Sequence, residues 1–114
     1  MKFDLRGLKF RSVANTPNGQ VGEETIFHYG QDGNIVTATY AGGGIAQGQI
    51  LAKVLETGQL DMRYHHLTDA GEFMLGRCIS TPERLPDGRL RFNEAWQWLS
   101  GDHSAGQSAI EEVR

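Results

Sequence analysis

The chain predicts an all-β fold, an eight-stranded antiparallel up-and-down (meander) barrel, on three observations. Turn signals recur along the whole sequence: TPNG at 16–19, QDGN at 31–34, AGGG at 41–44, ETG at 56–58, DAG at 69–71, LPDG at 85–88 and SGDHSAG at 100–106. Asn-Gly and Asp-Gly are strong hairpin signals, because a type I′ turn needs φ > 0 at both central residues. The segments between are rich in Val, Ile, Thr, Tyr, Phe and Trp. None keeps a 3.6-residue period over three turns. Short connections make each neighbouring pair antiparallel, and closure into a barrel removes the edge strands. A two-sheet sandwich is the alternative. The 114 residues suit one domain, 1–114.

Each strand is oriented by its charges, since an unpaired buried charge costs several kcal/mol. At 8–15, Lys9 and Arg11 point out and Leu8, Phe10 and Ser12 in. At 23–31, Glu24 and His28 point out, leaving Thr25, Phe27, Tyr29 and Gln31 inside. At 34–42 the apolar set is Val36, Ala38 and Tyr40. At 45–55, Gln47, Gln49 and Lys53 face out, placing Ala46, Gly48, Ile50, Ala52 and Val54 inside and Ile45 and Leu51 outside. At 59–67, Asp61, Arg63 and His65 face out, with Leu60, Met62, Tyr64 and His66 inside. At 72–81, Arg77 faces out, leaving Met74, Gly76, Cys78 and Ser80 inside. At 89–99 the inward set is Phe92, Glu94, Trp96 and Trp98, a carboxylate among three large aromatics. At 106–112, Ser108 and Ile110 turn inward.

Composition excludes several function classes. Net charge is −3 with dispersed Lys and Arg, which argues against a nucleic-acid partner. No run approaches a membrane span, and the N-terminus MKFDLRGLKF has no apolar leader, so a cytoplasmic protein is expected. Cys78 is the only cysteine, so no intramolecular disulfide can form. No metal site is expected: His65 and His66 alternate faces on a strand and cannot share one ion. GGGIAQG at 42–48 fails as a phosphate loop, because Gln47 breaks the pattern and no helix follows. No cofactor is implied.

The inferred interior sets small residues on the fourth and sixth strands against bulky ones on the second, fifth and seventh. Two readings use the same residue types: a filled core of large against small, or a lumen walled by aromatics with a few convergent polar tips. The second makes Phe27, Tyr29, Tyr40, Tyr64, His66, Ser80, Glu94, Trp96 and Trp98 candidate ligand-binding residues. Glu94 is then a structural carboxylate, a ligand anchor, or a general base with His66 as partner. The outward apolar residues Ile45, Leu51, Leu75, Ile79 and Leu99 offer a homodimer surface.

The stretches ETIFHYGQDGNIV, YAGG, LDMRYHH, CISTPERLPDGRLRFNEAWQW and SGDHSAGQSAIEE resemble a small bacterial family of about this length, over roughly residues 10–112. Its members often carry the label N-acetylglutamate synthase. That acetyltransferase activity is not expected here, because the chain lacks the acyl-CoA loop Q/R-x-x-G-x-G/A and the helices of that fold. More loosely, the architecture is similar to the calycins: lipocalins, fatty-acid-binding proteins and avidins. That resemblance implies a small, apolar or cyclic ligand in the lumen. Binding of such a molecule is the expected function; a lumen-based isomerase, cyclase or hydrolase using Glu94 and His66 is the alternative.

Overall fold

A computed structural model describes residues 3–114. The strands are β1 (Lys9–Asn15), β2 (Ile26–Asp32), β3 (Ile35–Gly42), β4 (Ile45–Val54), β5 (Leu60–Thr68), β6 (Phe73–Arg84), β7 (Leu90–Trp98) and β8 (Ala105–Val113). They form one closed barrel in sequence order. Antiparallel pairing of β1 with β8, from Lys9 opposite Val113 to Asn15 opposite Ser108, closes it. Among the described residues no helix is long and apolar enough to cross a membrane.

Three connections share one turn geometry. In each, the first residue's amide donates to the carbonyl four residues on, and a glycine amide donates back to the first residue's carbonyl. They are Leu55–Gln59, Thr68–Glu72 and Leu85–Arg89. The glycines take φ +88 at Gly58, +84 at Gly71 and +91 at Gly88, where a Cβ would be strained. The β2–β3 turn needs positive φ at Gly33 alone, not at both central residues as a type I′ turn would. TPNG is not a hairpin tip: it belongs to a longer connection, 16–25, across the end of the barrel.

Strand alternation places the interior as the charges require, with one exception. Ile45 is buried, 3% exposed, and Ala46 faces solvent. The register of β4 against β5 shifts between Ile45 and Gln47. This bulge flips the faces of the residues before it, so Ile45 joins the core rather than the outer stripe. Leu51, Leu75, Ile79 and Leu99 are exposed as expected, joined by Ile35 and Phe73.

The two ends of the barrel differ. At the base, residues 3–8 fold back as a plug. Leu5 is fully buried, its amide donates to Gln31 Oε1 at 2.9 Å, and Phe3 meets Phe92 edge-on. Phe10, Tyr29 and Phe92 pack together in an apolar cluster, Tyr29 parallel to Phe92 and Phe10 edge-on to Tyr29. At the mouth the aromatics form a second belt: Phe27, Tyr40, His66, Trp98, Tyr64 and Trp96, with neighbouring ring centroids 5.0–5.9 Å apart.

Candidate ligand site at the barrel mouth

Large rings fit against this wall because glycines face them. Tyr40 on β3 pairs with Gly48 on β4, Tyr64 on β5 with Gly76 on β6, and Trp96 on β7 with Gly106 on β8. A methyl at any of these glycines would coincide with the opposing ring. The three hairpins thus lay an aromatic flat across a glycine and keep it out of the lumen axis.

Between the rings lies a residual cavity of about 50 Å³, roughly two water volumes. Its wall includes Phe27, Tyr40, Tyr64, His66, Glu94, Trp96 and Trp98. Of the other predicted ligand residues, Ser80 is fully buried behind Glu94, and Tyr29 belongs to the lower cluster. The wall also holds residues that the sequence did not single out for the site: Asn15, Gly19, Gln20, Val21, Met62 and Ser108. Gly19, Gln20 and Val21 come from the 16–25 connection, which roofs the mouth.

Glu94 is held between two serines. Ser80 Oγ donates to its Oε2 at 2.9 Å and Ser108 Oγ to its Oε1 at 3.0 Å. Both serines lie directly opposite it, Ser80 on β6 and Ser108 on β8. Burial pushes the Glu94 carboxyl above its ordinary pKa, and the two serine hydrogen bonds partly offset this. Burial also pushes the hydroxyls of Tyr29, Tyr40 and Tyr64 and the Cys78 thiol upward, with the Glu94 charge adding to each. Cys78 is thereby an inert thiol.

His66 is occupied elsewhere. Its Nδ1 accepts from the Tyr40 hydroxyl at 2.8 Å, and its Nε2–H donates to Gln20 Oε1 at 2.7 Å, the tautomer this pairing requires. Burial holds its pKa down at about 4, with His65 adding to the effect. At neutral pH the ring is therefore uncharged with both nitrogens engaged. Glu94 and His66 share the cavity, but no hydrogen bond joins them.

The roof is tied down at three further points. Trp98 Nε1 donates to Asn18 O at 3.2 Å, Asn18 Nδ2 to Ala105 O at 2.9 Å, and Asn15 Nδ2 to Val21 O at 3.0 Å. Among the described residues, two buried side-chain polar atoms are left without a protein partner, Asn15 Oδ1 and the Tyr29 hydroxyl.

The barrel is thus a closed eight-strand meander with a carboxylate deep in an aromatic lumen. Residues 3–113 match the avidin-like protein family. The chain belongs to that family. No curated protein and no solved structure matches it. Membership of the avidin-like family is consistent with ligand binding by a small β-barrel.

Proposed function

We propose that this avidin-like barrel binds a small cyclic molecule at the mouth of its lumen, between the aromatic belt and Glu94. The observation that carries the reading is the composition of the cavity wall. Five large rings and one carboxylate converge on it, and its roof is a loop rather than a strand. About 50 Å³ holds only the head of such a molecule. The rest takes the place of Gln20 and Val21, so binding is coupled to displacement of the 16–25 connection. The engagement of both His66 nitrogens favours binding over acid–base chemistry, because no ring nitrogen is free to take a proton.

The test is a titration of small cyclic metabolites, biotin-like compounds included, as the family suggests. Trp96 and Trp98 emission and the melting temperature are followed together. A hit quenches or shifts the emission and raises the melting temperature, and Trp98→Phe weakens it. A panel that moves neither signal at millimolar concentration removes the reading.

A second copy of the chain is the partner we assign to the outer wall. Leu51 stands exposed on β4, Phe73 and Leu75 on β6 across the intervening β5, and Leu99 just beyond β7, Leu51 at 62% and Phe73 at 69%. Light scattering at high concentration should report a dimer that Leu75→Lys dissociates. A strict monomer overturns the assignment.

A further inference from the structure

We propose that the ligand's buried head is a flat, N–H-bearing cation of the amidine or guanidine class, seated between Glu94 and Asn15 against the Trp96 and Trp98 rings. This rests on the lumen-binding reading and adds the charge and donor pattern of the ligand.

Among the described residues, the fully buried side-chain atom on the cavity wall that lacks a partner is an acceptor, and the carboxylate beside it has acceptor capacity to spare. A carboxylate offers about four lone-pair sites, and Glu94 has two donors, Ser80 and Ser108. Asn15 Oδ1 is buried on the same wall without a partner. Several donors on the wall are already spent, while the Tyr64 hydroxyl, the Trp96 Nε1–H and the Gln20 Nε2 amide make no hydrogen bond among the described residues. The Tyr40 hydroxyl serves His66, the Ser108 hydroxyl serves Glu94, the His66 Nε2–H serves Gln20, and Trp98 Nε1 serves Asn18 O. A ligand that brings donors completes Glu94 and Asn15, whereas one that brings only acceptors leaves both incomplete.

Charge points the same way. Among the described residues, Glu94 is the one acidic side chain on the cavity wall, and no Lys or Arg lines it. Along β1, β4, β5, β6 and β7, Lys9, Arg11, Lys53, Arg63, Arg77 and Arg91 all sit on the outward alternation. His66 is neutral at physiological pH and adds no positive field. An anionic head would enter beside an uncompensated carboxylate, whereas a cation supplies the missing counter-charge. Trp96, Trp98 and Tyr64 also present rings to the same space, and such rings attract a cation. A planar head suits a slot between rings and pairs with a carboxylate through two parallel N–H bonds.

Benzamidine, benzamide and benzoate test this with one shape and three charges, using the full chain and following Trp emission and melting temperature. Benzamidine should bind at least about tenfold more tightly than benzamide, roughly the effect of one charge-assisted hydrogen bond, and benzoate should not bind. Glu94→Gln, with its fold verified by circular dichroism, should bring benzamidine and benzamide to within about twofold of each other. Equal or tighter binding of benzamide or benzoate overturns the cation assignment and leaves the lumen reading standing. Unchanged benzamidine preference in Glu94→Gln also overturns it, since the cation would then sit elsewhere. Silence from all three probes overturns it too, while the metabolite panel decides separately whether the lumen binds anything.

Discussion

Glu94 and His66 lie in one cavity, yet burial moves their pKa values in opposite directions, and stability should register both. His66 is depressed from 6.5 to about 4, so the unfolded chain takes up its proton first as pH falls. Its contribution is fully present above pH 6.5 and is lost on acidification toward pH 4, on the order of 2–3 kcal/mol. His66→Gln should flatten unfolding free energy across that interval when denaturant midpoints are measured at successive pH values; an unchanged slope would mean that the ring is not held neutral. Glu94 runs the other way. Its folded pKa lies above 4.5, so the folded state is favoured by protonation and weakened as pH rises through that value. Glu94→Gln should therefore gain stability relative to the parent at pH 8 and lose the gain below pH 4.5. The glycines opposite the rings are equally specific. A methyl at Gly76 drives the Tyr64 ring off the wall and into the lumen. Gly76→Ala should cost about 1–3 kcal/mol of stability and abolish the Trp response to any lumen ligand that the parent binds.

At the scale of elements, the strands were readable and the long connection was not. Alternation located the inward set on the eight strands, oriented by outward charges on the first, second, fourth, fifth and sixth and by the more apolar set on the third, because a misplaced charge is expensive enough to decide a register. It failed only at Ile45 and Ala46, where one extra residue in β4 flips the faces and leaves no compositional trace. One of Glu94's partners could have been found by counting outward from a turn. From the 85–89 turn, Ser80 falls opposite residue 94, whereas the same count from the 99–104 connection reaches Ala109, one residue past the Ser108 that the register sets there. Gln20 carried no such signal. It lies in an irregular segment, and its bond to His66 spans 46 positions. That bond makes the roof an element with a latch. Gln20→Ala leaves a buried His66 N–H without an acceptor, which should cost about 1–2 kcal/mol. Hydrogen exchange at residues 16–25 should quicken while the strand amides stay protected. If the loop amides exchange as slowly as before, Gln20 does not hold the roof.

For the whole molecule, the sequence showed that the chain closes on itself but not how the two ends are sealed. Closure follows from eight short strands with no long crossover, which leave no edge unpaired once β1 meets β8. Whether the lumen is filled or open could not follow, since interdigitated rings and a ligand cavity use the same residues. The structure gives an intermediate answer: a packed lower half, a small void above it, and a separate plug at each end. The base plug depends on a segment outside every strand. Leu5 has no accessible surface, packs in the main core and donates its amide to Gln31. By burial it is as much a core residue as Phe92, although nothing in its neighbourhood alternates. Leu5→Ala should therefore cost about 2–4 kcal/mol, whereas Arg6→Ala, beside it on the exposed side, should stay within about 0.5 kcal/mol. Since the plug and the mouth are at opposite ends, Leu5→Ala should lower the melting temperature without changing the Trp96 and Trp98 emission of the folded protein. A simultaneous change in that emission would show that the two halves of the lumen are packed as one unit.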